Sequence, residues 1–248
     1  MTTRLVVFDL DGTLIDTPRA IVETFTAAFA ALSLPAQQAS AIRATIGLPL
    51  EQAFGTLMGI ASDDPQVARG IEQYQHFFKQ LVLPNARALR FPGVADGLAT
   101  LASQGIALAV ATSKFHRSAD ALLTAAGLRD RFDLVIGADQ VTRPKPDPEM
   151  GETILRVVGV AAQHAVMVGD TTHDLLMAKA AGMRSIALTY GVHTRQELNA
   201  ADPTWVADSF DDVVNYVRKT AGNHTGKVPP DDRVRSGSPP TRRPDVPH

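Results

Sequence analysis

The stretch Val6-Val7-Phe8-Asp9-Leu10-Asp11-Gly12-Thr13-Leu14 constrains this chain more than any other. An apolar run with no charge after Arg4 ends on two carboxylates one residue apart, and a glycine and a threonine follow. Such a run reads as a strand buried on both faces, with the two Asp at its carboxyl end. Residues i and i+2 of a strand share a face, so Asp9 and Asp11 lean toward one point, subject to the turn at Gly12. Two close carboxylates repel unless a proton or cation lies between them. A divalent metal with oxygen ligands answers that repulsion, whereas a strand-end cap needs only one Asp and no apolar lead-in.

The 248 residues suffice for one large domain or two small ones, and 45% of them are hydrophobic, so a substantial core is expected. A net charge of −2 exerts no global pull toward nucleic acid or acidic membranes. The absence of cysteine excludes disulfides and thiol chemistry. The N-terminus shows no basic segment followed by an apolar stretch and a cleavage site. No apolar run approaches the ~18 residues of a membrane span. The expectation is a cytoplasmic protein acting on a small molecule, with no nucleic-acid or membrane partner and an oligomeric state that one sequence leaves open.

Strands are predicted at 4–9, 105–112, 133–137, 165–169, 184–189 and 204–207, with helices near 93–104, 116–127, 147–159, 172–182 and 209–219. This alternation argues for an α/β fold with a parallel sheet covered on both faces. Residues 17–88 break the pattern. Pro18 opens a helix whose apolar positions Ile21, Phe25, Ala28, Phe29 and Leu32 recur at helical spacing, and further helices are expected near 38–46, 50–59 and 65–82. The predicted organisation is a core of residues 1–16 and 89–219, an inserted all-helical cap at 17–88, and a disordered tail at 220–248 rich in Arg, Ser and Pro. Gly222–Lys227 superficially suggests a phosphate loop, but it is one residue short, is followed by Val228 and has no preceding strand.

Three further segments place polar groups just past apolar strands. Thr112-Ser113-Lys114 offers a hydroxyl and backbone N–H groups to a phosphoryl oxygen. Lys145 stands between Pro144 and Pro146 on a stiff loop, where a cation can hold an anion. Asp147 and Pro148 then read as cap and first residue of a helix. Gly169-Asp170-Thr171-Thr172-His173-Asp174 gives a metal-ligand candidate in Asp170, and in Asp174 a partner for Lys145 or for metal-bound water; helix capping alone would also explain Asp174. In an open α/β sheet these strand ends share the edge where ligands bind. Carboxylates, one lysine and one hydroxyl there suit magnesium and a phosphate monoester.

Taken together, these residues resemble the haloacid dehalogenase (HAD) superfamily of phosphohydrolases. Its four motifs appear in order as Asp9-x-Asp11-Gly12-Thr13, Thr112, Lys145 and Gly169-Asp170-x3-Asp174. The first is highly specific, the fourth moderately so, and the other two only in company. Ile46-Gly47-Leu48-Pro49-Leu50 resembles the cap loop of phosphoglycolate phosphatase-like members, and Tyr190-Gly191-x-x-Thr194-Arg195-x-Glu197-Leu198 looks like the same branch. The resemblance implies a Rossmann-like parallel-sheet core (the HAD fold) with a helical cap. It also implies a Mg2+-dependent phosphatase in which Asp9 attacks phosphorus to form an aspartyl-phosphate. Asp11 then protonates the leaving alkoxide and later takes a proton from water. Mg2+ is expected on Asp9, Asp170 and the backbone carbonyl of Asp11, supported by Asp174, with Thr112, Ser113 and Lys145 on the phosphate. Phosphoglycolate leads the substrate candidates; pyrophosphate, sugar phosphates and nucleoside monophosphates stay open.

Asp11 argues against dehalogenation, whose halide leaving group needs no acid. Sugar-phosphate mutases of the superfamily carry a His early in the first cap helix and an Arg in the cap loop, roughly where Ile21 and Pro49 or Leu50 stand here. A catalytically silent binding protein on the same fold is opposed by four intact motifs. His173 reads equally as pocket-facing or solvent-facing, His116 and Arg117 as helix-start polarity, Trp205 as core at the sheet edge, and Asp16 as cap of the first cap helix. His76, His164 and His193 show no metal-ligand spacing.

Overall fold

A computed structural model describes residues 2–221. The tail and the Gly222–Lys227 segment lie outside the described residues. Six strands, β1 (Leu5–Phe8), β2 (Ala107–Ala111), β3 (Leu134–Ile136), β4 (Ala165–Gly169), β5 (Arg184–Leu188) and β6 (Trp205–Ala207), form one sheet in the order β3-β2-β1-β4-β5-β6. Every neighbouring pair is parallel, and Phe8 of β1 is in register with Val110 of β2 and Val168 of β4. β1 is central, and its four residues are wholly buried.

The alternation of β1 feeds two cores. Leu5 and Val7 join Met150, Ile154, Met167 and Met177, whereas Val6 and Phe8 join Leu98, Leu122, Phe210 and Val213. The first face is covered by α7 (Glu149–Val158) and α8 (Thr172–Ala180), the second by α5 (Val94–Ser103), α6 (His116–Ala125) and α10 (Phe210–Ala221). Phe8 stacks on Phe210 at 5.7 Å between centroids. Burial on both faces explains why β1 reads as an unbroken apolar run.

Between β1 and β2 the chain makes α1 (Pro18–Ala31), α2 (Ala39–Arg43), α3 (Leu50–Met58) and α4 (Pro65–Leu81). Their shared core is aromatic: Phe25 and Phe29 of α1 meet Phe54 of α3 at 4.8 and 5.7 Å, and Phe25 meets Tyr74 of α4 at 4.8 Å. Such pairs contribute about 0.5–1.5 kcal/mol each beyond their area burial. The outgoing and returning segments run side by side, with Asp16 N–H donating to Leu89 O at 2.6 Å and Phe91 N–H to Leu14 O at 3.2 Å.

Four details differ from the sequence reading. Thr17, not Asp16, occupies the cap position of α1, and Asp16 is exposed and makes no side-chain hydrogen bond among the described residues. α7 starts at Glu149, with Pro148 at the cap position, although the Asp147 carboxylate still accepts the Glu149 N–H at 3.0 Å. α10 continues to Ala221, past the 219 boundary. A helix α9 (Arg195–Ala200) occupies a stretch where none was predicted, opened by a reciprocal Thr194–Glu197 capping box. Trp205 lies on the edge strand, half-buried and stacked on Tyr216 at 5.7 Å. Among the described residues no helix is long and apolar enough to cross a membrane.

Candidate active site

All strands being parallel, their carboxyl ends open on one edge. β1 and β4 are adjacent there, and chain connections leave this point in opposite directions across the sheet, which is where open α/β sheets leave a crevice. Asp9 follows β1 and extends its ladder by donating its N–H to Val168 O at 2.9 Å; Thr112 follows β2 and donates to Ile136 O at 3.0 Å; Asp170 follows β4. Gly12 turns the chain at φ +81°, and a Cβ there would overlap the Asp170 carboxylate. Only glycine accepts both that backbone and that approach. The turn places Thr13 so that its hydroxyl donates to Asp170 Oδ1 at 2.7 Å.

Asp9, Asp170 and Asp174 each bring a carboxylate oxygen within 4.8 Å of the others, and all three are buried. Lys145 Nζ enters from the side, donating to Asp174 Oδ1 at 2.6 Å, Asp9 Oδ1 at 2.9 Å and the Ala111 carbonyl at 3.0 Å. The other oxygen of Asp174 accepts from the Thr171 hydroxyl at 2.7 Å and N–H at 3.1 Å, so this carboxylate is spent on holding Lys145 and the start of α8. Asp170 Oδ2 accepts from Val192 N–H at 2.8 Å. Asp9 Oδ2 accepts no hydrogen bond among the described residues.

Three carboxylates, all ionised, would exceed the one ammonium by two negative charges at this buried site. Burial, with Asp174 adding to it, raises the Asp9 carboxyl to about 7 against the opposing pull of Lys145. Burial also drives Asp170 well above the usual carboxylate range, with Asp9 and then Asp174 adding to the effect. Burial works against the charge on Lys145, but Asp174 and Asp9 outweigh it and hold that pKa above an ordinary lysine's. A hard oxygen donor set short of positive charge fits a divalent cation such as Mg2+.

Above this floor lies a cleft enclosing about 460 Å³, its open mouth included. Asp9, Asp11, Thr112, Ser113 and Lys114 form the core side; Ile21, Phe25, Leu48, Leu50, Ala53 and Tyr74 line the cap side together with Thr45, Ile46 and Gly47.

The family model described as haloacid dehalogenase-like hydrolase matches residues 6–188, which takes in all but the first residue of β1, the helical insert and β2 to β5. The chain belongs to the haloacid dehalogenase-like hydrolases. It is 55% identical over 85% of its length to a protein named probable phosphatase IndB from Dickeya dadantii, covering 91% of that protein. It is 32% identical over 88% of its length to a phosphoglycolate phosphatase from Pectobacterium atrosepticum, covering 93% of it. The fold superposes with a TM-score of 0.78 on a haloacid dehalogenase-like hydrolase from Bacteroides fragilis at 28% identity, covering 86% of this chain and all of that one.

Within this hydrolase the remaining expected site residues are placed as follows. The Asp11 carboxylate turns away from the Asp9–Asp170–Asp174 cluster. Its Oδ2 lies 3.0 Å from Lys114 Nζ, and its Oδ1 accepts from the Thr17 hydroxyl at 2.6 Å. A metal role for Asp11 therefore rests on its backbone carbonyl, not its side chain. Thr112 lines the cleft, and its Oγ1 accepts the Lys114 N–H at 3.2 Å. Ser113 also lines the cleft, and its Oγ donates to the Gly47 carbonyl at 2.6 Å, tying the cap loop to the core.

Lys114 was missed. It is buried, and burial opposes its charge, but Asp11 and then Tyr74 keep its pKa above that of an ordinary lysine. Its signal was its place, third in a hydroxyl-bearing turn at a strand end. His173 is half-buried, with Nδ1 enclosed near Gly47 and without a partner among the described residues, and burial lowers its pKa. His193 Nδ1 accepts the Thr172 N–H at 3.1 Å. Neither these two nor His116 and Arg117 line the cleft.

Proposed function

We propose that this hydrolase is a Mg2+-dependent phosphatase that cleaves a small phosphate monoester through an aspartyl-phosphate on Asp9. The carrying observation is the convergence of Asp9, Asp170 and Asp174 around Lys145, with Asp11 beside them on a separate hydrogen-bond network. Asp9, Asp170 and the Asp11 carbonyl would hold Mg2+, which would supply charge neutralisation of the phosphoryl oxygens. A carboxylate oxygen of Asp9 attacks phosphorus, the P–O bond to the alcohol breaks, and Asp11 gives its proton to the departing oxygen. Asp11, now a carboxylate, takes a proton from water as that water attacks the phosphoryl group, which restores Asp9 and releases phosphate. Lys145 and the Thr112 hydroxyl offset charge on the transferring oxygens. The helical cap over the site limits water during the first step.

Both relatives carry phosphatase in their names, and one is named for phosphoglycolate, which makes that ester the benchmark substrate. Pyrophosphate hydrolysis and sugar-phosphate mutation use the same phosphoryl floor and differ in what the cleft above it accepts. The test is p-nitrophenyl phosphate turnover with Mg2+ and with excess chelator, followed by rapid quench with radiolabelled phosphate ester. Metal-dependent turnover and an acid-stable, hydroxylamine-labile label on Asp9 are expected. Full activity in chelator, or no label on Asp9, removes this reading.

A further inference from the structure

We propose that the cleft selects phosphate esters whose leaving alcohol is uncharged and largely apolar, and that it discriminates against esters bearing a second anionic group. This rests on the phosphatase reading and narrows its substrate class. The cap wall supplies Ile21, Phe25, Leu48, Leu50 and Ala53, and none of its residues is charged. Its two side-chain hydroxyls differ. Thr45 Oγ1 donates to the Ile42 carbonyl at 2.7 Å, whereas the Tyr74 hydroxyl makes no hydrogen bond among the described residues and is free to meet a neutral polar atom.

A second anion would need a cation, and the described residues at the site hold two. Lys145 Nζ is taken by Asp9, Asp174 and Ala111 O. Lys114 Nζ is taken by Asp11 at 3.0 Å and packs over the Phe78 ring at 4.4 Å. A carboxylate or second phosphate on the leaving group would therefore lose water to an apolar wall while facing Asp9 and Asp11. An unpaired buried charge is strongly disfavoured, whereas an aryl or alkyl body gains by the same burial.

The full chain with Mg2+ is assayed on two matched pairs: benzyl phosphate against 4-carboxybenzyl phosphate, and phosphoglycolamide against phosphoglycolate. Within each pair the leaving oxygens are of similar acidity, so the comparison isolates the second charge. The neutral member is expected to have a kcat/KM about tenfold or more above its anionic partner. Equal or better turnover of the anionic members overturns the proposal and leaves the phosphatase reading standing. No turnover of these four or of p-nitrophenyl phosphate sinks the phosphatase reading itself. Leu50→Arg, at the half-buried start of α3, is expected to raise kcat/KM for 4-carboxybenzyl phosphate about tenfold through KM, without improving benzyl phosphate. An unchanged ratio in a variant that melts like the native protein also overturns the proposal, and the native panel decides if the variant does not fold.

Discussion

Lys114 Nζ lies 3.0 Å from Asp11 Oδ2, and both side chains are enclosed between the sheet edge and the cap. They come from the loops after β2 and β1, strands that are hydrogen-bonded neighbours, so the pair follows from the sheet order. Thr17, at the mouth of the cap, donates to the other oxygen of Asp11 at 2.6 Å. Asp11 is thus aimed by one group from the core and one from the entry to α1. Lys114→Met should lower kcat about tenfold to a hundredfold, because the carboxylate proposed as acid and base loses one of its two anchors. KM for a neutral ester should change little, and Lys114→Arg should restore part of kcat. Steady-state kinetics on benzyl phosphate decides this; a change confined to KM would make Lys114 a substrate-binding residue instead.

Asp9→Asn should reduce turnover by about 10⁴-fold or more, as loss of a nucleophile does. Its effect on stability should run the other way. The amide oxygen still accepts from Lys145, which also keeps Asp174 and the Ala111 carbonyl, while the buried cluster loses one of its three mutually repelling carboxylates. In chelator the variant is expected to melt at or above the wild-type temperature. A clear drop, read by differential scanning calorimetry, would show that the charge on Asp9 anchors Lys145.

Asp9 and Asp170 were legible as neighbouring carboxylates because each ends a run of apolar residues, a change of chemistry visible within five positions, whereas the turn at Gly12 sends the Asp11 carboxylate to Lys114 and Thr17 instead. The parallel sheet was legible for the same reason, since β1, β2 and β4 are buried on both faces and carry no polar side chain. The helix α9 was not, because Leu198 is its one buried residue and its stability comes from the Thr194–Glu197 box, not from an apolar stripe. Thr17 and Asp16 are both good caps, and Pro18 limits where the helix begins without choosing between them. Ser113 and Lys114 depend on partners 66 and 103 positions away, Gly47 and Asp11, so local pattern carries no trace of either contact.

Glu149 gives the loop that carries Lys145 a dependence on pH. Its Oε1 accepts the Thr142 N–H at 2.8 Å and its Oε2 the Arg143 N–H at 2.9 Å. The Thr142 bond, joined by Arg143, holds the carboxyl below its usual range despite some desolvation. The folded chain therefore binds this proton less readily than the unfolded chain. The resulting stability is fully present above the unfolded value of about 4.3 and is lost as pH falls through the lower, folded value. Glu149→Gln should melt below the wild type at pH 7, and the two melting curves should converge toward pH 3. A gap that stays constant across this range would show that the two hydrogen bonds, not the charge, carry the effect.

Gly191 tests the metal assignment from outside the carboxylate set. It packs against Asp170 so closely that a Cβ would overlap that carboxylate, while its neighbour Val192 donates to Asp170 Oδ2 at 2.8 Å. The glycine is required by contact and not by a left-handed backbone. Asp170 cannot yield without giving up Val192 or the Thr13 hydroxyl, which holds its other oxygen at 2.7 Å. Gly191→Ala is therefore expected to displace Asp170 and weaken Mg2+ binding about tenfold or more, as measured by isothermal titration calorimetry, in line with the effect of disturbing a residue that orients a ligand. Activity should recover in part at saturating Mg2+. Ca2+ should bind the native protein but support little turnover, because its looser coordination does not impose the octahedral geometry of Mg2+. If Gly191→Ala binds Mg2+ as tightly as the native chain, Asp170 is not a ligand.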